Sequence, residues 1–431
     1  MYLDDVIKAQ KRGEAKGITS VCSAHPKVIR QTLRVFAKHP RNEVEGAKTL
    51  RVSPLIEATC NQVNQFGGYT GMTPKDFVAY VRRIAEKNNF PFENIILGGD
   101  HLGPNVWQNE PAESAMQKSE TLIRDYVQAG FTKIHLDCSM KLVDDPQGAL
   151  NPEVIALRSA RLAKVAEASL PSPHGRGAGG EGSLRYIIGT EIPIPGGATE
   201  HEEGVRVTKV EDVEQTIQIT HEAFLRAGLE SAWERVVGVV VQPGVEFGDD
   251  FVLPYKPEAA QELSRFIESQ PMIYEAHSTD YQTREALKNL VRDHFAILKV
   301  GPGLTFAFRE AVFALAVMEA ELIPEDQRSN IIQVLDDVMV KNPEYWQKYY
   351  RGDEQEQTFK RKYSLSDRVR YYWGQAEVQD ALDRMMKNLD ERPLPYSLLH
   401  QFSGQPGMNA AQIIEGAIDR VLEDYQVACG R

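Results

Sequence analysis

Eight short apolar runs punctuate the chain, and each passes into polar or chemically reactive residue types at its C-terminal end. They are GITSVCSAHP (17–26), SPLIEATCNQ (53–62), NIILGGDHLGP (94–104), KIHLDCSM (133–140), RYIIGTEIPIPGG (185–197), RVVGVVVQPGVEF (235–247), MIYEAHSTDYQ (272–282) and FAILKVGPGL (295–304). Longer stretches with helix signals lie between them. TPKDFVAYVRRIAEKN opens with Thr73 as a cap, Pro74 in the first turn and Asp76 three residues after the cap. SAMQKSETLIRDYVQAG stops at a glycine. Continuous apolar strands alternating eight times with helices predict an α/β fold, a (β/α)8 TIM barrel whose site is assembled from strand C-termini.

An open doubly wound sheet shares this alternation, but its cue is a glycine-rich first turn directly after a strand. The literal match, Gly175, Gly177 and Gly180, follows Ser and Pro inside a Gly/Pro-rich stretch at about 169–184 and reads as a flexible insert before the fifth strand. After Phe308 the strands cease. REAVFALAVMEAELI completes the eighth helix, so the barrel is assigned to 1–320 and a helical C-terminal extension to 321–431. The extension carries Trp346, Tyr349, Tyr350, Tyr371, Tyr372 and Trp373 at helical spacing, which reads as core or interface packing in preference to a nucleotide-stacking surface.

The net charge of -12 is spread through 431 residues, which argues against nucleic acid and anionic membranes as partners. An anionic substrate then needs a local positive site. Cys22, Cys60, Cys138 and Cys429 show no C-x-x-C spacing, so neither a zinc knuckle nor a disulfide framework is expected. The polar N-terminus and the lack of an apolar run of membrane length point to the cytoplasm.

In GGDHLGP an acid and an imidazole stand side by side where a strand ends. Adjacent strand residues face opposite ways, so Asp100 and His101 can share a site only if the backbone turns there, and Gly98 and Gly99 permit a turn. One division of labour makes His101 a metal ligand and Asp100 an acid/base; the alternative is a salt-bridged pair at a loop start. His277 in YEAHSTDYQ gives a second strand-end histidine, and Glu246 is the first choice of third ligand, ahead of Glu191, Asp137 and Glu57. Such His/carboxylate ligation suits a divalent ion, Zn, Mn, Co or Ni. Asp280 and Glu191 join Asp100 as candidate catalytic carboxylates.

Barrels commonly hold phosphate at the loops after strands seven and eight. Ser278, Thr279, Gly301, Gly303 and Lys299 are placed to do so, while Gln62, Asp137, Ser139 and His25 lie at other strand ends as candidate substrate contacts. His135 lies inside the fourth strand, where it could share a face with Asp137, and is read as structural. No G-x-x-x-x-G-K-[ST] supports a P-loop kinase.

The phrases CSAHP, IEATCNQVNQFGGYTGM, GGDHLGP, KIHLDCSM, QPGVEFG, YEAHSTDYQT and LKVGPGLTFAFREA resemble the GatZ/KbaZ family, from about residue 15 to the C-terminus. Members are known as the non-catalytic subunit of class II tagatose-bisphosphate aldolase, and are sometimes labelled tagatose-6-phosphate kinase. Two departures stand out: SPHGRGAGGEGS is foreign to the family, and HQFSGQPGMNAAQIIEG looks shorter than the usual segment. The resemblance implies a barrel related to class II aldolases, with Asp100 as acid/base and His101 and His277 as metal ligands. It also implies, for some members, ketose-6-phosphate 4-epimerisation by retro-aldol cleavage and re-formation of C3–C4. The first expectation is therefore a metal-dependent isomerase interconverting tagatose and fructose forms, with a free or phosphorylated ketose as substrate. The second is an auxiliary subunit that stabilises a separate aldolase catalytic subunit and turns nothing over. The extension is a candidate surface for such assembly or for a homo-oligomer.

Overall fold

The eight apolar runs form eight parallel strands that close on themselves in this computed structural model, which describes residues 2–38, 53–170, 184–189, 205–391, 393–403 and 407–431. The barrel strands are β1 (Ile18–Cys22), β2 (Leu55–Thr59), β3 (Ile96–Leu102), β4 (Lys133–Leu136), β5 (Arg185–Ile188), β6 (Val236–Val240), β9 (Ile273–Ala276) and β10 (Phe295–Val300). A two-stranded hairpin, β7 (Glu246–Phe247) with β8 (Val252–Leu253), stands between β6 and β9 in sequence. Closure is made by β1, where Val21 is in register with Ile56 on one side and Val300 on the other. The expected (β/α)8 barrel is the fold observed. Most of the Gly/Pro-rich insert, with Gly175, Gly177 and Gly180, and Glu191 lie outside the described residues.

Helix signals act as read. Thr73 Oγ1 accepts from the Asp76 N–H at 3.3 Å while the Asp76 carboxylate accepts from the Thr73 N–H at 3.1 Å, a reciprocal cap on helix Pro74–Lys87. Helix Ala112–Ala129 stops at Gly130, whose φ of +104° needs no Cβ.

Side chains two residues apart along a strand face the same way, so the barrel interior is layered. Leu55, Ile96, Ile273 and Ile297 form an apolar floor, sealed from below by Leu3 and Val6 of the N-terminal helix Tyr2–Lys11. Two residues further along the same strands come Glu57, Gly98, Glu275 and Lys299, and two further again Thr59, Asp100, His277 and Gly301. Burial, ionic and reactive layers thus follow from one period-two pattern.

The helices after Leu322 share the apolar core of the barrel's helical layer. Helix Ala410–Ala428 packs on Pro302–Leu322 and Arg284–Arg292. Its Tyr425 hydroxyl donates to Thr279 O at 2.8 Å, and Gln426 Nε2 donates to Thr19 Oγ1 at 3.1 Å. Buried Arg309, from the eighth barrel helix, holds Asp367 of the extension at 2.7 Å. Trp346, Tyr350, Tyr372 and Trp373 are buried. Segment 343–375 is thereby fixed over the barrel mouth. Among the described residues no helix is long and apolar enough to cross a membrane.

Candidate functional site

A cavity of about 1150 Å³ opens at the C-terminal ends of the strands, with Asp100, His101, His277 and Lys299 on its floor and Tyr345, Arg368, Arg370 and Tyr371 of the extension above. The turn in GGDHLGP is made differently from the sequence expectation. Gly98 and Gly99 keep negative or extended φ; His101 itself takes the left-handed conformation, φ +48°. The glycines serve close approach: a Cβ on Gly98 would lie 2.4 Å from Glu57 Oε1, and one on Gly99 2.5 Å from Leu102 Cδ1. The left-handed step at His101 lets both members of the pair face the mouth, at the cost of local strain.

Beneath the mouth two lysines and three carboxylates form a closed ionic layer. Lys133 Nζ lies 2.5 Å from Glu57 Oε1 and 2.6 Å from Glu275 Oε2, an ionic contact off the line of directed hydrogen bonding. Lys299 Nζ touches Glu57 Oε2, Asp100 Oδ1 (2.7 Å) and Glu275 Oε1 (3.6 Å). Burial alone would raise the Glu275 carboxyl, but the Lys133 and Lys299 ammoniums outweigh it and hold it well below the usual carboxylate range. Burial likewise opposes the charge on Asp100, and the His101 ring and Lys299 more than compensate. Lys299 is in turn held well above its ordinary value against burial, chiefly by Asp100.

Three imidazoles stand above that layer with ring centres 5.0 to 5.3 Å apart: His101, His135 and His277. His101 Nδ1 is 2.7 Å from Asp137 Oδ2, and Ser139 donates to Asp137 Oδ1 through its N–H (3.1 Å) and its hydroxyl (2.6 Å). This chain fixes the His101 ring, and the neighbouring Asp100 and Asp137 carboxylates raise its pKa against the effect of burial. His135 Nδ1 is 2.8 Å from Asp100 Oδ1, and its buried Nε2 has no partner. His277 Nε2 is 3.0 Å from Glu275 Oε1; burial pushes its pKa down to about 3, so the ring is neutral at physiological pH.

Asp100, His135, Glu275 and His277 each present a ligand-type atom within 4.8 Å of the others. A tetrahedral site with bonds of about 2.1 Å sets its ligands roughly 3.4 Å apart, so small side-chain shifts would close this group around an ion. The orphaned Nε2 of His135 and the neutral His277 ring also suit a cation. The donor set fits a divalent metal. Of the trio expected from sequence, His277 is in this group; His101 borders it with Nδ1 committed to Asp137. Glu246 is in the β7–β8 hairpin, outside the cavity lining, with its Oε1 accepting from the Phe247 N–H at 3.0 Å.

The remaining expected contacts divide. Ser278 lines the cavity with φ +53°, and His25 lines it with its Nδ1 unpartnered and its ring 4.4 Å from Phe308. Gln62 also lines it, its Oε1 accepting from the Thr59 N–H at 3.0 Å. Thr279 turns inward and donates to Lys299 O at 2.5 Å. The N–H groups of Gly301 and Gly303, where an incoming phosphate was expected, already donate to Asp280 Oδ1 at 2.9 and 2.7 Å. The chain supplies its own carboxylate to that helix N-terminus. His135, read from sequence as structural, belongs to this site with Lys133 and Glu275, and counting back in twos from Asp137 and His277 along their strands reaches all three.

Burial lifts Asp280 to about 6, against the lowering effect of those two N–H groups. The folded state therefore binds this proton more tightly than the unfolded chain, and the residue's contribution to stability is lost as pH rises from about 4 to about 6. Asp280→Asn keeps the acceptor and removes the titration. Its stability relative to the parent should rise by about 2–3 kcal/mol between pH 4 and pH 8, measured by urea unfolding. An unchanged difference across that range would mean that Asp280 titrates normally.

The family described as D-tagatose-1,6-bisphosphate aldolase subunit GatZ/KbaZ-like matches residues 3–430. A relative from Salmonella gallinarum (strain 287/91 / NCTC 13346), named D-tagatose-1,6-bisphosphate aldolase subunit GatZ, is 52% identical over 99% of both chains. A Klebsiella pneumoniae subsp. pneumoniae relative of the same name is 51% identical over 93% of this chain and 90% of its own. Among solved structures, a probable tagatose 6 phosphate kinase from Sinorhizobium meliloti 1021 superposes with a TM-score of 0.83 at 44% identity, covering 96% of this chain and all of that one. The expectation of an isomerase, a ketose 4-epimerase, is corrected by these relatives, which carry the name of an aldolase subunit across their full length. The chain belongs to the GatZ/KbaZ-like family of D-tagatose-1,6-bisphosphate aldolase subunits.

Proposed function

We propose that this chain is the non-catalytic, stabilising subunit of a class II D-tagatose-1,6-bisphosphate aldolase. The observation that carries the reading is the match over nearly the whole chain to a family and to relatives named as the GatZ subunit of this aldolase. Asp100, held by Lys299 at 2.7 Å and by His135 at 2.8 Å, is tied into the buried ionic layer. Co-expression with a class II tagatose-bisphosphate aldolase catalytic chain should give a complex on size exclusion and lengthen the half-life of aldolase activity several-fold, while the isolated chain cleaves no ketose bisphosphate. A catalytic chain that neither binds this one nor gains lifetime from it would sink the reading.

We also assign the divalent cation to Asp100, His135, Glu275 and His277, with Zn, Mn, Co or Ni suiting the mixed donors. When bound, such an ion cross-links three strand ends and offers a Lewis acid to a ligand oxygen. His101, fixed through Asp137 and Ser139, borders that position as a hydrogen-bonding group. Titration with Co(II), followed by its visible spectrum, should show affinity falling about 10–100-fold in His135→Ala and in His277→Ala. Parental affinity in both variants would remove the assignment.

A further inference from the structure

The roof of the cavity carries two guanidiniums that make no ion pair among the described residues. Arg368 is buried, with its plane 3.1 Å from the Tyr349 ring centre, its Nη1 donating to Tyr345 O at 3.0 Å and its Nε without a partner. Arg370 is half-buried and donates from Nη1 to the carbonyls of Ser366 and Asp367, and from Nη2 to the Tyr371 hydroxyl at 2.9 Å. Among the described residues neither guanidinium makes an ion pair. The nearest acids are committed elsewhere. Asp367 holds Arg309 and accepts from Thr305 at 2.6 Å, Asp280 caps Gly301 and Gly303, and Glu344 faces the Tyr345 hydroxyl.

Both arginines converge on the Tyr371 phenol. Burial would raise that hydroxyl, yet Arg370 and Arg368 pull it below its ordinary value, which marks a region of positive potential inside the cavity. Burial, reinforced by the Arg370 charge, pulls the Arg368 guanidinium below its own ordinary value. A buried guanidinium without an ion pair is costly, and Arg368 has the like charge of Arg370 beside it. An anion carrying about two charges with several acceptor oxygens removes that cost, and guanidinium forks match phosphate oxygens in geometry. Below the roof, the wall presents Thr59, Asn61, Asn105 and Gln108, whose hydroxyl and amide groups suit sugar-type hydroxyls.

We propose that Arg368 and Arg370 form a binding site for the phosphate group of a small phosphate monoester, whose hydroxylated body extends down the cavity toward the barrel mouth. This site belongs to the helical extension, and so differs from the strand-seven and strand-eight loops where barrels usually hold phosphate and where Asp280 here takes the backbone donors. It stands independently of the subunit assignment, which is tested by assembly and not by ligand binding.

Isothermal titration of the full chain with fructose 6-phosphate, free fructose and inorganic phosphate tests it. Fructose 6-phosphate should bind saturably and at least about tenfold tighter than fructose, as expected for charge-assisted contacts, and inorganic phosphate should compete with it. Arg368→Met and Arg370→Met should each weaken the sugar phosphate about tenfold or more while leaving the weak binding of fructose unchanged. Arg370→Lys, which keeps the charge and loses the fork, should fall between parent and Met variant; it carries the test if a Met variant fails to fold. Equal affinity for fructose and its phosphate, no binding of any of the three probes, or parental affinity in the folded variants would each overturn the proposal.

Discussion

Lys133→Met is expected to lower the unfolding free energy by about 3–5 kcal/mol, the usual penalty for stranding buried partners of an ion pair. Lys133 has no exposed surface and sits between Glu57 and Glu275, which are equally buried. Removing its ammonium leaves two like-charged carboxylates sharing only Lys299, in a layer closed below by aliphatic side chains. The methionine stem fills much the same space, so the loss comes from charge and not from a void. Urea unfolding followed by circular dichroism reads the effect directly. Lys133→Met/Glu57→Gln should recover part of it by removing one orphaned charge, and Arg12→Ala, which breaks an exposed pair with Glu14, should change nothing measurable. A single variant within about 1 kcal/mol of the parent would show that the interior solvates these carboxylates without Lys133.

That ionic layer also explains where the sequence was readable and where it was not. Strand positions followed from apolar runs that end in polar residues, because barrel strands are covered on both faces and change character only at the mouth. The same rule placed Asp100, His101 and His277 at the site. It passed over Lys133 and left His135 a structural residue, because both fall within a four-residue strand, KIHL, where a lysine reads as a solvated strand start. Here its side chain turns inward and finds acids contributed by strands distant in sequence. Gly98 and Gly99 looked like turn formers because glycine serves both turns and close contacts; which of the two applies is decided by Glu57, Leu102 and Tyr126, neighbours that no local pattern reveals. Gly301 and Gly303, expected as phosphate donors after the eighth strand, stand at a helix N-terminus where Asp280, 21 and 23 residues earlier in the chain, accepts their N–H groups. In the extension, aromatic spacing indicated packing, and four of the six aromatics are buried; Tyr349 and Tyr371 line the cavity instead because the extension folds back over the barrel.

Among the described glycines, Gly103→Ala should be the most damaging alanine substitution. Its φ of 173° is extended backbone open to any residue, so no dihedral preference opposes alanine. The obstacle is steric: the new Cβ would lie 1.8 Å from the Asp137 carbonyl oxygen and 2.8 Å from its carbonyl carbon. Backbone atoms cannot rotate away as a side chain can, so β3 and β4 must separate at their C-terminal ends. Asp137 is also the residue that fixes His101, so the shift reaches the site as well as the core. A loss of about 3 kcal/mol or more is expected, at the upper end for overpacking in a close-packed interior. Two controls isolate the cause. Gly374→Ala meets open space at an ordinary φ and should be neutral, whereas Gly130→Ala meets open space at φ +104° and should cost about 1 kcal/mol through conformation alone. Thermal unfolding of the three variants ranks them: a Gly103→Ala chain as stable as Gly374→Ala would mean that β3 and β4 can part without cost, and that the close approach at Gly103 is not what holds Asp137 against His101.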